Sequence, residues 1–76
     1  MTTYEITYTD TFGGEANYGW VRRHTIQAKS LNAAIRKAKF LIGLSGVRCN
    51  KTDYGSEAAL YPVGRNTVLF VVEVYH

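Results

Sequence analysis

The sequence predicts an α+β domain of order β-β-α-β-β-β, an antiparallel sheet with one amphipathic helix packed on one face. Three observations carry this expectation. Residues 3–9 alternate apolar and polar side chains, residues 31–42 repeat apolar side chains at helical spacing, and residues 67–75 form a nearly unbroken run of strand-favouring residues. Two hairpin-type groups of strands flank one helix, and one helix can cover only one face of a sheet. The other face must then keep some apolar and aromatic side chains exposed, or have them covered by a partner.

In the first run, Tyr4, Ile6 and Tyr8 fall on one side and Thr3, Glu5, Thr7 and Thr9 on the other, a half-buried strand. Asp10-Thr11-Phe12-Gly13-Gly14 breaks it, and the loop extends to Asn17 or Tyr18, with Gly13-Gly14 supplying the turn. Residues 20–28, Trp20 to Ala28, read as a second strand paired with the first as a hairpin. Their alternation is imperfect, because the face selected by Ile26 and Ala28 also receives Arg22 and His24. A bulge near the arginine pair would resolve the conflict.

Ser30 is a good helix N-cap, because its hydroxyl can accept from a free N–H of the first turn. Leu31, Ala34, Ile35, Ala38, Leu41 and Ile42 then make one apolar stripe, and Gly43 supplies the stop. Asn32, Arg36, Lys37, Lys39 and Phe40 occupy the opposite face, so the helix is basic as well as amphipathic. Residues 46–51 predict a short strand with Val47 and Cys49 inward. Asp53-Tyr54-Gly55-Ser56 reads as a turn, residues 57–61 as a fourth strand and 62–66 as a second turn. Residues 67–75 are apolar on both faces until Glu73, the pattern of a central strand.

With 76 residues the chain is a single domain, 1–76, near the size where one core is only just sufficient. Its 46% apolar content and single proline fit a folded domain and not a disordered tail. No apolar run approaches the ~20 residues of a membrane helix, and Met-Thr-Thr-Tyr-Glu lacks the basic and apolar regions of a signal peptide. The one cysteine, Cys49, has no disulfide partner and no Cys or His at zinc-like spacing. The expectation is a cytoplasmic protein without metal, cofactor, disulfide or membrane contact, either a monomer or a homodimer.

Charge is distributed unevenly. Between Glu15 and Asp53 there is no acidic residue, and that interval holds Arg22, Arg23, Lys29, Arg36, Lys37, Lys39, Arg48 and Lys51. Such an interval speaks to association with something anionic. Catalysis finds little support in the sequence. A nucleophile needs a base within reach and a group to orient that base. The only thiol–imidazole combinations use Cys49 with His24 or the terminal His76, and Cys49 falls at an inward strand position where thiols are ordinarily inert. Asp10 and Glu15 share a loop with glycines, where acids ordinarily serve as solvated turn residues. Gly13-Gly14 lacks the Lys-Ser/Thr ending of a phosphate loop. The protein is therefore expected not to be an enzyme.

Two groups point to binding. One is the basic helix face of Arg36, Lys37 and Lys39, which as a bland alternative is simply solvated. The other is Tyr18 and Trp20 beside Arg22 and Arg23, residue types that dominate interface hot spots and also stack on unpaired bases. Its alternative is that Trp20 is a core anchor of the hairpin. No nucleic-acid module fits: one helix cannot make a helix-turn-helix, and the RNA-recognition sheet needs two helices. Non-specific phosphate binding stays open.

The stretch "YTDTFGGEANYGWVRR", residues 8–23, resembles a group of small, mostly uncharacterised proteins encoded by bacteriophages and prophages. Further similarity lies in Gly43-Leu44-Ser45-Gly46-Val47-Arg48, in Asp53-Tyr54-Gly55 and in Thr67-Val68-Leu69-Phe70, so it covers most of the chain. In size and architecture the chain also resembles anti-CRISPR proteins, which occupy a surface of a Cas protein that would otherwise grip nucleic acid. Many of those are acidic DNA mimics, and this chain departs from them by being basic. The resemblance implies a phage-encoded accessory protein acting in the cytoplasm of an infected or lysogenic bacterium. It would bind a host protein without catalysis, most concretely as an anti-CRISPR inhibitor that blocks a Cas protein or Cas complex sterically. Its partner-binding residues would be Tyr18, Trp20, Arg22, Arg23, Arg36, Lys37 and Lys39. The alternative is a small basic nucleic-acid-binding protein using the same residues against phosphates.

Overall fold

The structure is a computed structural model that describes residues 1–11 and 19–74. Five strands, β1 (Thr2–Asp10), β2 (Val21–Ala28), β3 (Cys49–Asp53), β4 (Glu57–Pro62) and β5 (Thr67–Glu73), and one helix, α1 (Leu31–Ile42), follow in the predicted order. The strands form one sheet of order β2-β1-β5-β4-β3, antiparallel throughout. The first and last strands therefore lie side by side in the middle, and β2 and β3 are the two edges. Helix α1 and the turn after it carry the chain from one edge to the other across a single face.

Register decides which side chains meet the helix. Tyr4, Ile6 and Tyr8 of β1 stand opposite Ile26, His24 and Arg22 of β2 and opposite Glu73, Val71 and Leu69 of β5. Leu69 and Val71 in turn stand opposite Leu60 and Ala58 of β4. Tyr4, Ile6, Tyr8, Ala58, Leu60, Leu69 and Val71 join Ala34, Ile35, Ala38 and Ile42 of the helix in one buried cluster. Ile6, Leu69 and Val71 have no exposed surface, and each side chain of this size contributes about 1.5–3 kcal/mol on burial. The predicted central strand is β5, third of the five.

Both helix ends are capped as expected. Ser30 is extended, and its Oγ accepts from the Ala33 N–H at 3.2 Å. Gly43 takes the left-handed conformation at φ 87°, which places its N–H on the Phe40 carbonyl and the Leu44 N–H on the Lys39 carbonyl, at 3.3 and 2.7 Å. This pair of bonds is a Schellman motif, and it turns Leu44 into the core, where it is fully buried.

Four expectations need correction. The second strand has no bulge: pairing runs without interruption from Thr2 opposite Ala28 to Thr9 opposite Val21. Arg22 and His24 do share the helix-side face, and both are exposed there, so the pattern needed no rescue. Trp20 precedes the strand instead of starting it. Leu41 belongs to the predicted apolar stripe but is 47% exposed, because it lines an open groove beside Ile26 instead of packing into the core. The third strand is Cys49–Asp53 and not 46–51, since Gly46 sits in a turn at φ 80° closed by a Val47 N–H to Leu44 carbonyl bond of 2.9 Å. The remaining strand ends differ slightly, β4 running on to Pro62 and β5 stopping at Glu73. The predicted Gly13-Gly14 turn lies outside the described residues.

The face away from the helix carries Thr3, Glu5, Thr7, Arg23, Thr25, Phe70 and Val72. Phe70 and Val72 are half-buried there, and among the described residues no helix lies over them.

Candidate functional site

The start of β2 is fastened to the end of β1. The Thr9 hydroxyl donates to the Trp20 carbonyl at 2.8 Å, and the Gly19 N–H donates to Asp10 Oδ1 at 2.9 Å. Asp10 thus has a turn-holding role. The Trp20 indole meets the Tyr8 ring edge-on, with centroids 5.3 Å apart and planes at 61°. The Tyr8 hydroxyl donates to Thr67 Oγ1 at 2.9 Å, which fixes the tyrosine against β5. Trp20 stays 44% exposed, so it is an anchor on one side and a free surface on the other.

Along the helix-side face of β2, Trp20 is followed by the exposed Arg22 and His24 and then by Ile26. Ile26 opens into a groove of about 510 Å³ between β2 and the flank of α1, lined by Ile26, Gln27, Arg36, Lys37, Phe40 and Leu41. Phe40 is 76% exposed. The lining therefore combines three apolar side chains with two cations and no carboxylate.

The cations singled out in the sequence are placed differently from one another. Arg22 stands opposite Tyr8 on the helix side, whereas Arg23 stands opposite Thr7 on the other face. The Lys37 ammonium donates to the Gln27 carbonyl at 2.7 Å, tying the helix to β2 within the groove lining. The half-buried Lys39 ammonium donates to the Val47 carbonyl at 3.0 Å and so pins the turn after the helix. Arg36 is exposed and lines both the groove and a smaller hollow beside Lys39, Ser45 and Gly46. Trp20, Arg22, Arg36 and Lys37 thus lie on the β2 side of the molecule. Arg23 belongs to the opposite face, and Tyr18 lies outside the described residues. Ile26, Phe40 and Leu41 are surface residues that the sequence did not mark; an aromatic at position 40 among helix cations was the one visible sign.

Cys49 and His24 lie on opposite edge strands, separated by four strand spacings, roughly 19 Å across the sheet, and offset along it as well, because His24 is level with Asp53; they do not form a catalytic pair. Cys49 is half-buried with its thiol toward the Val47 carbonyl at 3.6 Å. Glu15 and His76, the remaining members of the pairs considered, lie outside the described residues. Among the described residues no three His, Cys, Asp or Glu side chains gather as a metal site, and no helix is long and apolar enough to cross a membrane.

The fold and this surface define a small α+β domain with a basic, partly apolar edge. Compared with known proteins, the chain matches no family model, no curated protein and no solved structure.

Proposed function

We infer that the chain is a phage-encoded accessory protein that acts by binding a host protein in the bacterial cytoplasm, most concretely as a steric inhibitor of a Cas protein. The observation that carries the binding part is the continuous surface of Trp20, Arg22, Ile26, Leu41 and Phe40 along one sheet edge. A half-exposed tryptophan held by a tyrosine, next to an arginine and an apolar groove, has the make-up of an interface hot spot. The phage and Cas parts rest on the resemblance of residues 8–23 and on the size and architecture.

The test is phage plating on a bacterium whose CRISPR system targets that phage. Expression of the chain restores plaques, and expression of Arg22→Glu does not. Unchanged immunity against every CRISPR type tried would overturn the inhibitor role.

A second function is favoured by one observation: an exposed indole and an arginine on one face can stack on a base and hold a phosphate. Nucleic-acid binding of that kind weakens steeply with salt. Binding of random oligonucleotides that persists at physiological salt would favour it over the protein partner.

A further inference from the structure

The backbone at the sheet edge says what the partner presents there. The Val74 N–H donates to the Thr3 carbonyl, so the odd-numbered residues of β1 bond β5 and the even-numbered ones bond β2. Antiparallel pairs alternate in this way. Even residues of β1 face even residues of β2, which leaves the N–H and C=O groups of Val21, Arg23, Thr25 and Gln27 pointing away from the sheet. The Gln27 carbonyl is the one that the Lys37 ammonium reaches. Val21, Arg23 and Thr25 therefore offer a row of backbone donors and acceptors along an edge that contains no proline.

The geometry points to β2 as the docking edge for an acidic, extended segment of a partner protein, which adds to the sheet as a sixth strand. This rests on the protein-binding function above and names the chemistry of its partner. Added strands gain affinity from main-chain hydrogen bonds and specificity from pockets that take alternate side chains. Here the helix-side residues of the incoming strand pass Arg22, His24 and the groove of Ile26, Phe40 and Leu41, and the residues between them pass Arg23 and Thr25. An apolar side chain fits the groove, and carboxylates fit the cations at Arg22, Arg23 and Arg36. Lys37, holding the Gln27 carbonyl, ends the pairing at that position, as edge lysines do.

Charge also selects against the nearest alternative. A second copy adding its own β2 would set Arg22 and Arg23 against the same strand of its neighbour, with no acidic residue in either. Like charges directly opposite destabilise a strand pair. The far edge, β3, is shorter and carries Lys51 paired with Asp53 at 3.6 Å, so it offers no such field.

The experiment uses the full chain with a short synthetic peptide that alternates glutamate with leucine. Lysine-for-glutamate peptide and a single-stranded oligonucleotide serve as comparisons. Backbone amide signals are followed by NMR. The acidic peptide shifts the amides of Val21, Arg23 and Thr25 and slows their hydrogen exchange about tenfold or more, while those of Lys51 and Asp53 on the far edge stay put. Thr25→Pro removes an N–H that makes no bond to β1, so the sheet is kept while the peptide binds at least about tenfold more weakly. Shifts confined to the Phe70 and Val72 face, an equal response to the lysine peptide, tighter binding of the oligonucleotide at the same amides, or shifts that follow protein concentration without peptide would each overturn the inference. In the plating assay, a folded Thr25→Pro chain that still restores plaques overturns strand addition and leaves the inhibitor function standing. Peptide binding at Val21, Arg23 and Thr25 without restored plaques does the reverse.

Discussion

Arg22 and Arg23, neighbours in the chain, leave the sheet on opposite faces: Arg22 stands opposite Tyr8 on the helix side, and Arg23 stands opposite Thr7 on the face away from the helix. They cannot act as one paired cationic site. Only Arg22 shares its face with Trp20, Ile26 and the groove. Charge reversal at Arg22 is therefore expected to weaken partner binding by about 2 kcal/mol or more, the scale of a hot-spot residue. Reversal at Arg23, exposed at the rim, costs about 1 kcal/mol or less. Titrating both variants against the same partner or peptide measures the difference, and equal losses would mean that Arg23 carries as much of the binding as Arg22 and is not a rim residue.

Trp20 is the only tryptophan, so its fluorescence reports on this surface alone. Half-exposed in the free protein, it is expected to emit at long wavelength and to be quenched by acrylamide. Partner binding along β2 desolvates the indole, which moves emission to the blue and reduces quenching. Binding with unchanged emission would place the partner elsewhere, for instance over Phe70 and Val72.

Leu41 and Leu69 are both leucines in strongly apolar runs, yet one is 47% exposed and the other has no exposed surface. Leu69→Ala leaves a cavity between β1, β4 and α1 and is expected to cost about 2–5 kcal/mol. A domain of this length has roughly 4–11 kcal/mol in total, so that variant is at the margin of folding. Leu41→Ser is expected to change stability by about 0.5 kcal/mol or less while weakening whatever occupies the groove. Urea unfolding of the two variants separates them, and a large loss for Leu41→Ser would show that the groove is part of the core.

Most of the architecture was legible because it follows from local periodicity. Tyr4, Ile6 and Tyr8 alternate, the helix stripe repeats, and Ser30 and Gly43 mark its ends; each is a short-range signal. What was not legible depends on where elements land in space. The conflict at Arg22 and His24 looked like a bulge because a strand was assumed to be covered along its whole length. The helix covers only part of β2, and the rest is open to water. Leu41 failed for the same reason, since periodicity gives a direction around the helix and not what stands opposite it. Leu44 was missed as a core residue although Gly43 implied it, because a Schellman turn sends the residue after the glycine back toward the helix. The candidate surface was legible in its charged and aromatic members but not in its shape. That Lys37 and Lys39 are held by the Gln27 and Val47 carbonyls required the tertiary structure.

The helix caps give a prediction that tests whether α1 behaves as one rigid lid over the sheet. Ser30→Ala deletes the hydroxyl that accepts from Ala33, a loss of about 1 kcal/mol. Gly43→Ala meets no atom within 4 Å, so its cost comes only from placing a Cβ at φ 87°, about 1–2 kcal/mol. The two sites are separated by the length of a 12-residue helix, roughly 18 Å, and share no partner. Their effects are therefore expected to add within about 0.5 kcal/mol in the double variant, as measured by urea unfolding. A double variant clearly less destabilised than the sum would mean that the first cap lost already frees the helix end that the second one holds. The tie from Lys39 to Val47 and the buried Leu44 would then not suffice to keep the C-terminal turn docked on their own.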